Sequence, residues 1–390
     1  MVGESYAAVL RGDGVVRLVI ATSISRMTTS MLSLSLLIAV SKSTGSVVDA
    51  GAVLFAHAVA LALVAPAAGR LVDRFGSRRT LFVFVGFHTL SYVAVVFALV
   101  HELPAAYLLL AAAALGATTP PSGSVVRASW PHLVPESNLS SAYALDTVIN
   151  SSTFILGPIL VGALLYVMPP NMIVGSCAVA KVIGDMLIAN SPMARKATER
   201  RPRRLFSVLA NAPLALLLAI VALDTFTIGA MQIGAVESVT AALAGVLLGG
   251  FAAGEVFGGI FYGALRAQPS VKRGMIAFHL VTACFFILMS MTSDHWLLLL
   301  LYLGAGVFSG ARDALGQLAV GLSARPEDRT EAFGWLTSFM WAGYGLGTLL
   351  SGSLGEGWGA SAIYLAAAAV STTAVIATCW LKIVNPQPKA

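Results

Sequence analysis

Gly69-Arg70-Leu71-Val72-Asp73-Arg74-Phe75-Gly76-Ser77-Arg78-Arg79 separates two long apolar stretches. It sets one acid, Asp73, among Arg70, Arg74, Arg78 and Arg79, with a glycine on either side. Gly69 permits the close approach of a neighbouring helix, and Gly76 permits a tight turn. An acid among arginines at the edge of an apolar segment calls for a partner. Arginines so placed mark the face of a bilayer that retains positive charge. The stretch reads as a short connection between two membrane-spanning helices.

Working outward, the composition agrees. Hydrophobic residues make up 57% of the 390-residue chain and charged residues only 11%, against roughly a quarter charged in soluble domains. So few charges cannot cover a soluble surface, and lipid needs no such cover. Apolar runs fall at 15–41, 49–69, 80–100, 104–126, 139–167, 171–190, 211–235, 239–265, 274–292, 295–320, 330–354 and 359–381, each near the ~20 residues that a spanning helix needs. Lipid satisfies no backbone hydrogen bonds, so only helices or closed barrels span. Barrel strands alternate apolar and polar residues; these runs do not. The spacing predicts an all-α integral membrane protein of twelve transmembrane helices. The first run is too long for a signal-peptide core and is read as the first span.

The gaps between runs set the orientation. One side carries Arg11, Arg17, the 69–79 loop, Arg127, the basic stretch Arg195–Arg204, Arg266, Lys272, Arg273, Arg325, Arg329, Lys382 and Lys389; the other carries only Lys42. The excess places both termini in the cytoplasm, in a plasma or bacterial inner membrane. It also explains the formal charge of +6 without a nucleic-acid partner. Cys177, Cys284 and Cys379 all lie in apolar runs, so no disulfide framework, metal site or cofactor is expected.

The longest polar gap carries Pro192, Pro202 and the Arg-rich stretch. It divides a six-helix bundle at 1–190 from another at 207–390, with 191–206 as a basic cytoplasmic linker. An internal repeat supports the division. Leu156-Gly157-Pro158-Ile159-Leu160-Val161-Gly162 aligns with Leu346-Gly347-Thr348-Leu349-Leu350-Ser351-Gly352. At the same offset Ala142-Tyr143-Ala144 meets Ala332-Phe333-Gly334, Gly69 meets Gly259 and Asp73 meets Gly263. One residue off that register, Pro135-Glu136 meets Pro326-Glu327. Parallel repeats of this kind are a known transporter plan.

The stretch 69–79 resembles the loop signature of the major facilitator superfamily, G-x-x-x-D-R-x-G-R-[KR]-[KR], with Ser77 in place of one basic residue. It stands after the second helix on the expected side, and the two-by-six plan extends the resemblance over essentially the whole chain. The resemblance implies that Gly69, Asp73, Arg74, Gly76, Arg78 and Arg79 form a gating motif. In it Asp73 holds the cytoplasmic helix ends together near a helix amino terminus in the opposite half. Arg127 is a candidate ionic partner for Asp73. Gly157, Pro158 and Gly162 resemble the G-P-x-x-G-G motif of antiporter-type members, with Ala163 at its last glycine, which tilts the reading towards export. Arginine in mid-helix 4, frequent in drug exporters of the family, is absent from Ala111–Pro121, so proton antiport does not follow from the resemblance.

Charges inside the runs are costly, roughly 2.5–3.5 kcal/mol each at mid-membrane, and default to function or pairing. Arg26 lies in the first helix, whose family counterparts line the cavity; it is expected to meet substrate or a buried carboxylate. Asp224 and Glu255 are the candidates for binding a proton or cation, with Arg312 beside them as a substrate or coupling residue. Lys181 and Asp185, four apart, share a helix face and are expected to pair. Asp146 reads as an interfacial partner. Arg312 and Asp313, being adjacent, point in different directions. Gly250, Gly254 and Gly258 read as a packing stripe. His57, His88 and His279 read as core histidines without a role. Trp335, Trp341 and Phe226 could stack on an aromatic substrate or simply pack.

No nucleotide-binding signature appears, and no His, Asp or Glu cluster suggests an enzyme. The expectation is a monomeric, non-enzymatic secondary transporter. It would exchange protons for a small amphipathic drug or metabolite by alternating access, with nutrient symport as the alternative within transport. A non-transporting sensor or scaffold, or a membrane enzyme, is the alternative outside it.

Overall fold

The computed structural model describes residues 2–45, 47–191, 208–239, 241–264 and 270–381. Its helices are α1 (Val2–Leu10), α2 (Val15–Thr44), α3 (Val47–Phe75), α4 (Ser77–Val100), α5 (Ala105–Ala117), α6 (Ser122–Leu133), α7 (Leu139–Leu164), α8 (Pro170–Ala189), α9 (Ala212–Ser238), α10 (Ala241–Ala264), α11 (Val271–Ser290), α12 (His295–Ser323) and α13 (Arg329–Trp380). No strand occurs among the described residues. The expected linker, apart from Ser191, lies outside them.

Eleven helices among the described residues are long and apolar enough to cross a membrane. The twelfth expected span is the first part of α13. Runs 330–354 and 359–381 form two helices of α13 that meet at a kink, where Gly359 takes the non-helical φ 73° and ψ −178°. Only a residue without a Cβ adopts that geometry cheaply. Conversely, α5 and α6 together make one span. They part where Pro120 and Pro121 supply no N–H to the helical ladder.

Packing differs between the two ends of the molecule. At the end carrying residues 69–79, both halves contribute to one core, in which Val72, Leu81 and Tyr143 cluster with Leu217, Leu318 and Phe333. Further along the core divides. Leu36, Val53, Tyr92 and Leu115 form one cluster in the first half, and Met231, Phe286, Tyr302 and Tyr364 form another in the second. The halves share a core at the Arg-rich end and have separate cores towards the other.

The join has approximate two-fold symmetry. Tyr143 and Phe333, equivalent in the internal repeat, pack on each other with ring centroids 6.1 Å apart. Contact between equivalent residues is what a two-fold axis between the halves requires. Short 3-10 turns, Glu136–Asn138 and Pro326–Asp328, precede α7 and α13 in the same way.

Two helix-interior prolines are compensated by tertiary hydroxyls. Pro66 in α3 leaves the Ala62 carbonyl without its helical donor, and Ser338 from the other half donates to it at 2.5 Å. Pro131 in α6 frees the Arg127 carbonyl, and Tyr143 donates to that oxygen at 3.2 Å.

Candidate functional site

At the Arg-rich end, α3 runs into the turn before α4, and Gly76 makes that turn at φ 86°. The Asp73 carboxylate accepts from two backbone amides in the first turn of α13, Thr330 N at 3.3 Å and Glu331 N at 2.7 Å. First-turn amides have no helical acceptor and carry the positive end of the helix dipole. Gly69 makes the approach possible, because a Cβ there would lie 2.5 Å from the Thr330 carbonyl oxygen. Arg74, Arg78 and Arg79 are exposed. Arg74 lies over the Phe75 ring and Arg78 over the Phe82 ring.

Arg127 does not pair with Asp73, contrary to expectation. Its Nε lies 3.2 Å from Asp146 Oδ2. Arg26 reaches the same carboxylate with Nη2 at 2.9 and 3.0 Å, and its Nη1 donates to the Asp146 carbonyl at 3.0 Å. Asp146, read from sequence as interfacial, is fully buried and joins two arginines from α2 and α6. The depths explain the misreading. Arg26 stands roughly 16 Å along its helix from the Arg-rich end and Asp146 roughly 10 Å along its own, at 1.5 Å per residue, and the long arginine side chain closes that gap. Opposite charges at comparable depth were the available signal.

Also in the first half, Lys181 Nζ is 3.3 Å from Asp185 Oδ2. Ser25 and Ser122 each donate to Asp185 Oδ1 at 2.7 Å. This is a closed, neutral cluster among α2, α6 and α8. In α7, Gly157 lies against Ser30 of α2, whose hydroxyl donates to the Thr153 carbonyl at 2.7 Å. Among the described residues, nothing crowds Gly162.

In the second half Asp224 Oδ1 is shared. His279 Nε2 lies 2.7 Å from it and Arg312 Nε 3.3 Å. His279, given no role in the sequence reading, is thus central, and its only advance signal was its recurrence in an apolar run. Arg312 and Asp313 diverge as adjacent helical residues must. Asp313 Oδ2 accepts across the seam from Thr147 at 2.9 Å, and from Gln317 at 2.9 Å. Glu255 accepts from Ser309 at 3.0 Å and, across the seam, from Ser151 at 3.4 Å. Asp313 also lies within electrostatic reach of Arg127. Around Glu255, Gly254 and Gly258 of α10 pack on α12, and Gly306 and Gly310 pack back on α10. Gly250 of α10 meets Leu299 of α12.

These groups sit where the shared core gives way to two separate ones. The Arg26 face continues at helical spacing through Thr29 and Ser33, both exposed. Trp341 is 38% exposed and meets Tyr344 edge-on with centroids 6.0 Å apart. Trp335 and Phe226 are packed against the two cores.

A family model described as Major Facilitator Superfamily matches residues 18–223 and 214–390. The chain belongs to the major facilitator superfamily. It is a multi-pass membrane transporter by family, not an enzyme. Solved superfamily structures share its fold at low sequence identity. A bacterial homologue of the iron transporter ferroportin, in an outward-facing state, aligns with TM-score 0.78 at 14% identity, covering 93% of this chain and 98% of that one. The transporter FucP, in its outward conformation, gives 0.69 at 16%, covering 94% and 98%. The human organic anion transporter MFSD10 gives 0.68 at 16%, covering 93% and 99%. No curated protein sequence matches the chain.

Proposed function

We propose that this superfamily member is a proton-coupled exporter of a small amphipathic compound that works by alternating access. The observation that carries the reading is the division of the core. One shared core and the cross-half hydrogen bonds of Asp73, Ser338, Thr147 and Ser151 close the Arg-rich end, while the cores are separate towards the other end. A molecule built as two bodies joined at one end can rock to join at the other. By the positive-inside rule the Arg-rich end is cytoplasmic, so in this reading a cleft between the halves opens outward.

The polar groups at the cleft floor are the candidate substrate and coupling residues. Arg26 is tied to Asp146 and orders the floor, while Asp224, Glu255 and Arg312 line its second half. Glu255 and Asp313 take their hydrogen bonds from hydroxyls and an amide. A proton on either would cost few existing contacts. The glycine and proline at 157 and 158 support an antiporter reading by resemblance.

Purified protein in liposomes that enclose a pH-sensitive dye tests this. Screened compounds are expected to drive proton flux in wild type, and Glu255→Gln is expected to abolish it. Compounds that cross with no proton movement, in wild type and variant alike, would replace antiport with facilitated diffusion or another coupling ion.

A further inference from the structure

His279 is wholly buried in α11, and the hydrogen-bond stereochemistry around its ring fixes its protons. Nδ1 lies 2.6 Å from the Met275 carbonyl oxygen. A carbonyl only accepts, so Nδ1 must carry a hydrogen. Nε2 lies 2.7 Å from Asp224 Oδ1, an oxygen that also faces Arg312 Nε at 3.3 Å. An ionised carboxylate oxygen beside a guanidinium is an acceptor, so with Asp224 ionised Nε2 carries a hydrogen as well. A neutral imidazole has one N–H and one lone pair. It would set that lone pair against the lone pairs of Oδ1 at 2.7 Å, with no solvent to relieve the repulsion.

The surrounding charges agree. In the first half the Arg26, Arg127 and Lys181 cations outnumber the Asp146 and Asp185 carboxylates by one. In the second half Asp224, Glu255 and Asp313 outnumber Arg312 by two among the described residues; Arg312 faces Asp224 and Glu255, and Asp313 faces Arg127 across the seam. A positive charge on His279 brings this floor to neutrality with every carboxylate ionised. Its neutral form leaves one carboxylate uncompensated, and Glu255 or Asp313 would have to take up the proton to restore neutrality away from water. The other elements packed on His279 bring no titratable group to its ring among the described residues. α13 contributes the Ser371 hydroxyl, which donates to the His279 carbonyl at 3.0 Å.

We infer that His279, clamped between the Met275 carbonyl and the Asp224–Arg312 pair, is a proton-binding site, and that the conformation closed at the Arg-rich end is its proton-loaded state. The site takes one proton on Nε2. On release the proton passes to water by way of Asp224, whose side chain is 15% exposed, Asp224 stays anionic, and Nε2 regains its lone pair. The resulting repulsion between Nε2 and Oδ1 pushes α11 from α9 and favours the other conformation. The coupling role of this site rests on the transport reading above; its protonation does not.

Nitrogen-15 spectra of histidine-labelled protein in lipid nanodiscs test the protonation directly and need no substrate. The chain has six histidines, and the signal lost in His279→Gln assigns the residue. At neutral pH the wild type is expected to show His279 with both ring nitrogens protonated, and Asp224→Asn is expected to convert it to a one-proton tautomer. A one-proton tautomer in wild type overturns the inference, as does a doubly protonated ring that Asp224→Asn leaves unchanged. A failure to find any transported compound overturns the transport reading and leaves this spectrum as it stands. Proton flux retained in His279→Gln would refute the coupling role alone.

Discussion

The two halves meet along two symmetry-related seams at the Arg-rich end, and the seams are closed by different chemistry. Where α3 meets α13, the Asp73 carboxylate takes two amides of a helix amino terminus. The internal repeat puts Gly263 at the position of Asp73 and Ser141 at that of Glu331. There, where α10 meets α7, the contact is a neutral one, the Ser141 hydroxyl to the Gly263 carbonyl at 2.5 Å. Gly259 and Gly263 bring α10 close to Val148 and Ala144. Charge-assisted bonds are about twice as strong as neutral ones. At its outermost contact the first seam is therefore a lock that depends on a charge, whereas the second is held there by a neutral contact and packing, and meets carboxylates only further along, where Thr147 and Ser151 donate to Asp313 and Glu255. An asymmetric join of this kind lets the first seam open while the second keeps the halves aligned.

The largest effect is expected from Asp73→Asn. It removes the charge and sets an amide nitrogen against a backbone N–H. Hydrogen bonds to charged groups contribute about 1.5–3 kcal/mol, which would shift the closed-to-open ratio about tenfold to a hundredfold towards open. Distances between spin labels placed on the exposed residues Arg74 and Arg325 read that ratio. An unchanged distribution would show that the first seam is held by packing as the second is.

Ser141→Ala should do less. It strips one neutral donor from a buried carbonyl, a loss of about 1 kcal/mol and about a fivefold change in the same ratio. If this variant matched Asp73→Asn, the distinction between the two seams would fail.

Much of this contrast was legible in the sequence, and its limits have physical causes. The twelve spans follow from run length because lipid imposes a length. An acid among arginines at a membrane edge demands a partner, but the helix amino terminus as that partner was implied by the resemblance of 69–79 to the family loop, and the repeat pointed to an uncharged counterpart at Gly263. The partner of Arg127 was not legible. Arg26 and Arg127 both reach Asp146, and one sequence does not show that the rotation of α7 turns Asp146 inward. His279 was illegible for a similar reason. One apolar run cannot show that Asp224 of α9 and Arg312 of α12 converge on it. The short α1 escaped notice because it precedes the first apolar run and is not a span.

That helix supplies the smallest and most discriminating expectation. Tyr6 of α1 donates to the Gly259 and Ile260 carbonyls of α10, at 2.8 and 3.0 Å. Burial raises its phenol above the ordinary range, so it stays a neutral donor throughout physiological pH. Both carbonyls lie within the α10 helix, so the phenol adds to their bonding rather than completing it. Tyr6→Phe should therefore cost only about 0.5 kcal/mol, at the low end for a neutral hydrogen bond, and shift the spin-label distribution about twofold. Combined with Ser141→Ala the effects test whether α1 belongs to the second seam. Independent contacts add within about 0.3–0.5 kcal/mol, whereas groups acting on one contact couple by more. Tyr6 and Ala144 both crowd the position of a Gly263 Cβ, so coupling is expected. Strict additivity would detach α1 from the seam and leave α10 and α7 to hold it alone.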